Sequence, residues 1–313
     1  MAWIRRPGRR GTPQQTQQHE DARGHERNAR VEFWITQMFN GISFGALLFL
    51  LASGLSLIFG VMRIVNIAHG SYYLLGAYVG LSTVWKTGSF ALALFTGGFT
   101  VAVIGIGMQR VLKRFYLVEL PQMLLTMGFA LIFQDLALII WGGDPYTIPP
   151  PAFLAGSMRT GTLTFPLYRF FVVAMAVAVG LFLWALQERT RVGAMIRAAV
   201  DDAEMAGGVG INVPVVSAGV FGLGAFLAAF GGVMGGAFLG VFPGADFEIL
   251  PFAFVVVIVG GLGSLKGAFV GSLLVGLVDN FGKALLPELS YFTLFAPMAL
   301  VLAVRPTGLF GRA

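Results

Sequence analysis

No charged side chain interrupts residues 33–62 or 205–245, and further uncharged windows cover 64–85, 87–109, 120–134, 170–187, 249–265, 267–278 and 289–304. A helix needs about 20 predominantly apolar residues to cross a bilayer, so some windows must merge, split or re-enter. Residues 120–141 read as one helix carrying Asp135. Residues 249–283 read as two short segments or as one span plus a re-entrant piece, broken around Gly260, Gly261, Gly263 and Lys266. The pattern predicts an all-α polytopic membrane protein, a helical bundle of about eight transmembrane helices, eight or nine by count, with broken or re-entrant segments.

Composition agrees. Hydrophobic residues make up 57% of the chain and charged ones 12%, against about 25% charged in soluble domains. The excess of 21 Lys and Arg over 15 Asp and Glu, a net +6, reads as basic residues gathered in cytoplasmic loops rather than as a nucleic-acid surface. Arg110, Lys113 and Arg114 form one such cluster, Arg189, Arg191 and Arg197 a second, and Arg305 with Arg312 a third. The Gly- and Pro-rich stretch 142–166 then lies outside. Residues 1–32 have no apolar periodicity and read as a disordered basic tail, leaving 33–313 as the transmembrane domain. The basic tail argues for an inside N-terminus, and nine spans counted back from an inside C-terminus argue for an outside one. The chain has no cysteine, which removes disulfides and thiolate chemistry.

Polar residues inside the apolar windows require an explanation, because a charged side chain at the bilayer centre costs roughly 2.5–3.5 kcal/mol on insertion scales. Between Gly54 and Gly80 stand Arg63, Asn66 and His69. Asn66 and His69 are three apart and share a helix face, and Gly70 allows the helix to break, as transporter helices do near binding sites. The two residues are therefore candidates for a translocation seam, with hydrogen bonds fixing the turn beside Arg63 as the structural reading. Asp279 and Lys283, four apart, are expected to pair. Asp246 and Glu248, between Pro243 and Pro251, are expected in a solvated loop, two acids being too few for a metal. Glycines spaced by four, Gly231/Gly235, Gly232/Gly236 and Gly263/Gly267/Gly271, predict close helix packing.

Residues 190–209 differ from their surroundings. Val192, Met195, Ile196 and Ala199 recur at i, i+3, i+4, i+7, while Arg191, Asp201, Asp202 and Glu204 supply a charged remainder, the pattern of a short amphipathic helix. Gly207, Gly208 and Gly210 stop it, and Pro214 opens the next span. Such a helix either lies along the headgroups or docks into a cytoplasmic partner.

R-I-V-N-I-A-H-G-S-Y-Y-L-L-G-A-Y, then D-A-E-M-A-G-G-V-G-I-N, V-G-G-L-G-S-L-K-G-A-F-V-G and R-P-T-G-L-F-G-R occur in this order, and together they resemble the LivH-type permease of branched-chain amino acid ABC transporters. The resemblance runs from about Phe33 to Arg312. It implies a permease subunit in the inner membrane that moves leucine, isoleucine, valine or related amino acids by alternating access. Urea, short amides or a sugar remain the alternative cargo. It further implies a second, LivM-like permease, two cytoplasmic ATP-binding subunits and a periplasmic or extracellular substrate-binding protein, with no nucleic acid and no cofactor. The segment 190–209, with Arg191, Val192, Met195, Ile196, Ala199, Asp202 and Glu204, would then be the element that seats in the ATPase cleft.

The residues bear on chemistry directly as well. No G-x-x-x-x-G-K-[ST] loop is present, so ATP hydrolysis belongs on a partner. A membrane enzyme would need a nucleophile with its base or a metal cluster. The chain has three histidines, His19, His25 and His69, and neither G-x-S-x-G nor H-E-x-x-H. A passive channel would have no use for the amphipathic segment.

Overall fold

The computed structural model describes residues 13–63, 65–115, 118–161 and 163–311, with side chains from residue 30 onward, those of 119 and 291 excepted. Eleven α-helices appear in order: α1 Pro13–Met62, α2 His69–Thr87, α3 Phe90–Leu112, α4 Glu119–Trp141, α5 Leu167–Arg189, α6 Arg191–Asp201, α7 Ala203–Gly208, α8 Val213–Gly236, α9 Ala245–Gly260, α10 Leu265–Leu285 and α11 Ser290–Val304. A small antiparallel hairpin, β1 Ser157–Thr160 and β2 Leu163–Pro166, lies between α4 and α5.

Among the described residues, six helices are long and apolar enough to cross a membrane: Arg30–Met62, Phe90–Phe115, Leu120–Trp141, Leu167–Arg189, Val213–Gly236 and Leu265–Leu285. The shorter α2, α9 and α11 complete the bundle. The protein is thus a multi-pass all-α membrane protein, with breaks where glycine and polar clusters predicted them.

Helix ends follow local chemistry. Gly88 takes a left-handed φ of 68° to close α2, and Ser89 caps α3 by accepting from the Leu92 amide at 3.2 Å. Ser264 caps α10 through Gly267 N at 3.0 Å, and Asn212 caps α8 with Pro214 in its first turn. Between α1 and α2 the chain breaks at Arg63, whose φ of 52° is the one positive value among described non-glycine residues. Helix α1 begins at Pro13, twenty residues before the boundary expected at Phe33. Residues 13–32, expected to form a basic tail before the membrane domain, are continuous with α1 as helix. Residues 1–12 lie outside the described residues.

Helix α1 occupies the centre. Leu47, Leu48, Phe49, Leu50, Leu51 and Ile58 are buried to 1% exposure or less. By contrast α4 and α5 sit at the periphery and present Ile132, Ile139, Ile140, Leu181 and Phe182 outward, as suits a surface without water. The glycine spacings do pack backbones together. A Cβ on Gly232 would strike the Tyr73 carbonyl, one on Gly76 would strike Ala229, and one on Gly267 would strike the Gly260 carbonyl. Gly276 lies in the same way against Gly41 and Gly45, fastening α10 to α1.

The successive helices reverse direction, so the basic clusters closing α3, α5 and α11 share one end of the bundle; Arg312 lies outside the described residues. The start of α5 contacts the first half of the membrane-crossing part of α1 (Arg30–Met62), Arg169 donating to the Asn40 side-chain oxygen. The entry to α1 therefore lies at the end opposite the basic clusters, beside the 142–166 connection.

Candidate functional site

At that opposite end a cavity of about 350 Å³ lies among α1, α2, α5, α9, α10 and the connection from α8 to α9. Its polar lining is Asn40, Tyr73, Arg169, Glu248, Asp279, Asn280 and Lys283, and Phe44, Ile249 and Phe252 give it an apolar wall. The expected pairing on α10 is present: Lys283 Nζ lies 2.7 Å from Asp279 Oδ2, with the Asp279 side chain 3% exposed and that of Lys283 51%. The Lys283 ammonium also stands 5.3 Å from the Phe252 ring centroid and 5.9 Å from that of Phe44, within cation–π range. The Arg169 guanidinium covers Phe238 at 4.7 Å. Two lining groups are buried without a hydrogen-bond partner, Asp279 Oδ1 and the Tyr73 hydroxyl.

The connection from α8 to α9 is held in place from outside. Tyr146 and Val241 exchange backbone hydrogen bonds at 2.8 Å in both directions, joining the α4–α5 connection to it. Asp246 is not in a solvated loop, contrary to expectation. The left-handed Gly244 (φ 97°) turns the chain so that α9 starts against α2, where Asp246 is 2% exposed and accepts from Ser71 Oγ at 2.8 Å. Gly70 permits this contact, since a Cβ there would meet the Asp246 carbonyl oxygen at 2.5 Å. Glu248, two residues on and so on the opposite side of α9, is exposed at the cavity.

Asn66 and His69, the seam candidates, do not line this cavity. Both are fully buried at the break between α1 and α2. His69 Nε2 lies 3.0 Å from the Leu51 carbonyl oxygen of α1, and its amide donates to the Asn66 carbonyl at 3.2 Å. A second cavity, about 400 Å³ at the basic end, is lined by Arg63, Gln122, Phe254 and Leu262 among others, again without Asn66 or His69.

The 190–209 segment stands at the basic end as two helices, not one. Asp202 divides them: its extended backbone (φ −154°, ψ 102°) ends α6, its amide donates to Ala198 O at 3.0 Å, and its Oδ1 accepts from Met205 N at 2.9 Å to start α7. A short acidic side chain that bonds its own backbone competes with helix continuation. The apolar face expected to meet a partner is turned inward at Ile196 and Ala199 and stays open at Val192, which is 47% exposed. Ile196 and Ala199 are 6% and 4% exposed, and Ile196 clusters with Leu57, Leu183, Val220 and Leu227 of this same chain. Arg197 donates to the Gln187 carbonyl. Met195 is half-buried, and Arg191, Val192, Asp202 and Glu204 remain exposed. The apolar surface that protrudes belongs to Met205 and Val209, 67% and 72% exposed, which periodicity over α6 did not single out.

Asn40, Tyr73, Arg169 and Glu248 were likewise not legible as a site, since they come from four separate elements. The one sequence signal was a charge bordering or interrupting an apolar window, shared by Arg169, Asp279 and Lys283.

Residues 37–303 match the family model described as the branched-chain amino acid transport system permease component. The chain is 29% identical over 299 residues to the high-affinity branched-chain amino acid transport system permease protein LivH of Salmonella typhimurium, covering 90% of this chain and 96% of that protein. It is 29% identical over 300 residues to BraD of Pseudomonas aeruginosa, with 90% and 97% coverage. Identity is 26% over 255 residues to a probable LivH of Methanocaldococcus jannaschii, covering 76% and 78%. No solved structure matches the chain. With a match that runs from residue 37 within the central helix α1 to residue 303 in α11, this chain belongs to the branched-chain amino acid transport permease family.

Proposed function

We propose that the chain is one permease subunit of an ATP-driven importer of branched-chain amino acids in the inner membrane. The observation that carries this reading is the end-to-end similarity to permeases named for that transport, which includes the α6–α7 segment. The basic end faces the cytoplasm by the distribution of Lys and Arg, so α6–α7 meets the ATP-binding subunits there. A substrate-binding protein delivers cargo to the opposite end, where the 350 Å³ cavity lies.

A second, LivM-like permease covers the outer face of α4. That face exposes Asp135 between Ile132, Leu136 and Ile139, and an uncompensated carboxylate against lipid is costly, which supports a protein partner there. Transport proceeds by alternating access: ATPase closure favours the conformation whose α6–α7 surface it binds better.

The test is reconstitution of the permease with its partner permease, two ATP-binding subunits and the binding protein in proteoliposomes. ATP-dependent uptake of labelled leucine, isoleucine or valine is the expected result. Uptake of a sugar or of urea with no amino acid uptake would overturn the cargo, and absence of any association with ATP-binding subunits would overturn the importer role.

A further inference from the structure

We propose that the cavity at the basic end, between α1, α4 and α9, is a site for one anionic phospholipid of the adjoining leaflet, its phosphate held by Arg63 and an acyl chain lying along Phe59, Phe254, Ile258 and Leu262. The inference goes beyond transport and does not rest on the importer reading.

The cavity measures about 400 Å³, within the range of about 300–1,000 Å³ usual for small-ligand sites. Its lining is apolar except at Gln122 and Arg63, and the four apolar side chains named are each at least partly exposed. Gln122 is committed to the protein, its amide donating to the Phe115 carbonyl at 2.6 Å. Arg63 is exposed, and among the described residues its guanidinium has no ion pair, hydrogen bond or ring contact. No Asp or Glu lines the cavity among the described residues. Five N–H donors on a fixed cation beside an apolar hollow fit an amphiphile with an anionic head.

The arginine and the walls are both held in place. Arg63 ends α1 with a φ of 52°, a left-handed conformation that non-glycine residues seldom adopt and that persists where the surroundings over-determine it. The Ile67 amide donates to Thr126 Oγ1 at 3.2 Å, tying the α1–α2 break to α4. The amides of Leu309 and Phe310 donate to the carbonyls of Val259 and Gly260 at 2.9 Å, fixing the end of α9. The Gln122 bond to Phe115 also brings the turn Lys113–Phe115 beside the cavity, with Lys113 and Arg114 exposed on it. Each cation near a membrane surface favours an anionic headgroup about fivefold. A zwitterionic phospholipid would bring its own ammonium against this rim and be repelled in part.

The test is native mass spectrometry of the full-length chain in mild detergent, titrated with phosphatidylglycerol or with phosphatidylcholine of the same acyl chains. The wild type is expected to hold one phosphatidylglycerol more tightly than any phosphatidylcholine. Arg63→Asn removes the charge while tolerating the left-handed backbone, and is expected to weaken that one binding event about 10- to 100-fold, the value of a charge-assisted hydrogen bond. Its thermal unfolding midpoint without added lipid should not change, because the guanidinium touches no protein group among the described residues. Arg63→Lys, which keeps the charge but loses the planar fork, should fall between the two. Leu262→Trp keeps the arginine and fills the cavity from a side chain that is 50% exposed; it is expected to lose the tight lipid as well. Equal affinity of the wild type for the two lipids, or undiminished phosphatidylglycerol binding by Arg63→Asn, would overturn the site. Loss in Arg63→Asn with full retention in Leu262→Trp would overturn the acyl-chain assignment and leave a site for a phosphate group alone.

Discussion

On the proposed importer reading, Met205 and Val209 are the positions where an ATP-binding partner would be detached from the permease without disturbing the permease itself. They are 67% and 72% exposed, so truncating both to alanine removes almost nothing from the folded chain. If a partner buries them fully, each contributes up to roughly 1.5–3 kcal/mol. The alanine Cβ retains part of this, and the pair should lose about 2–4 kcal/mol. That corresponds to a 30- to 1000-fold weaker association. The contrasting change is Ile196→Ala. Its side chain lies among Leu57, Leu183, Val220 and Leu227, and its truncation should cost about 2–5 kcal/mol of permease stability. The assay is twofold: titration of ATP-binding subunits onto permease in nanodiscs, and thermal unfolding of the permease alone. Met205→Ala/Val209→Ala should weaken the first and spare the second, and Ile196→Ala should lower the second. Retention of association within twofold by the double variant would refute docking at α7.

Three further outcomes follow from the packing. Gly232→Ala forces a Cβ onto the Tyr73 carbonyl and should cost about 1–3 kcal/mol or more, whereas Gly219→Ala, with nothing within 4 Å, should be neutral; thermal aggregation of the two variants in detergent compares them directly. Asn66→Leu and His69→Leu should lower membrane abundance and uptake in step, because both residues are buried at a helix break and line neither cavity; a loss of uptake at normal abundance would restore them to the pathway. Asp135→Leu should leave the isolated permease folded and weaken copurification of the second permease, by about 2–5 kcal/mol if its carboxylate pairs across a desolvated interface.

The spans were legible because hydrocarbon imposes one rule on every residue in them: long uncharged windows and helix-breaking glycines located α3, α4, α5, α8 and the break from α9 to α10. The glycine spacings read equally well, since a Cβ at Gly232 or Gly267 would strike the backbone of the facing helix. Asp279 and Lys283 were foreseeable as neighbours on one helix. The cavity they help to line was not, since Asn40, Tyr73, Arg169 and Glu248 meet only through tertiary packing. The apolar stripe of α6 was visible, but periodicity does not say what covers a stripe. In this chain α5, α8 and α1 cover its Ile196 side, while Val192 stays exposed and the most exposed apolar side chains lie one helix further on.

Where backbones touch through glycine, no flexible side chain lies between two helices to act as a cushion. Helices α1 and α10 meet in this way at Gly41, Gly45 and Gly276, α2 and α8 at Gly76 and Gly232, and α9 and α10 at Gly260 and Gly267. Such pairs move as plates, and any change in the shape of the outer cavity has to be taken up where its lining is not helical. That stretch runs from Phe238 to Gly244, hinged by positive-φ glycines at 240 and 244 and tied at Val241 to Tyr146. The α4–α5 connection thereby has its hand on the non-helical wall of the cavity.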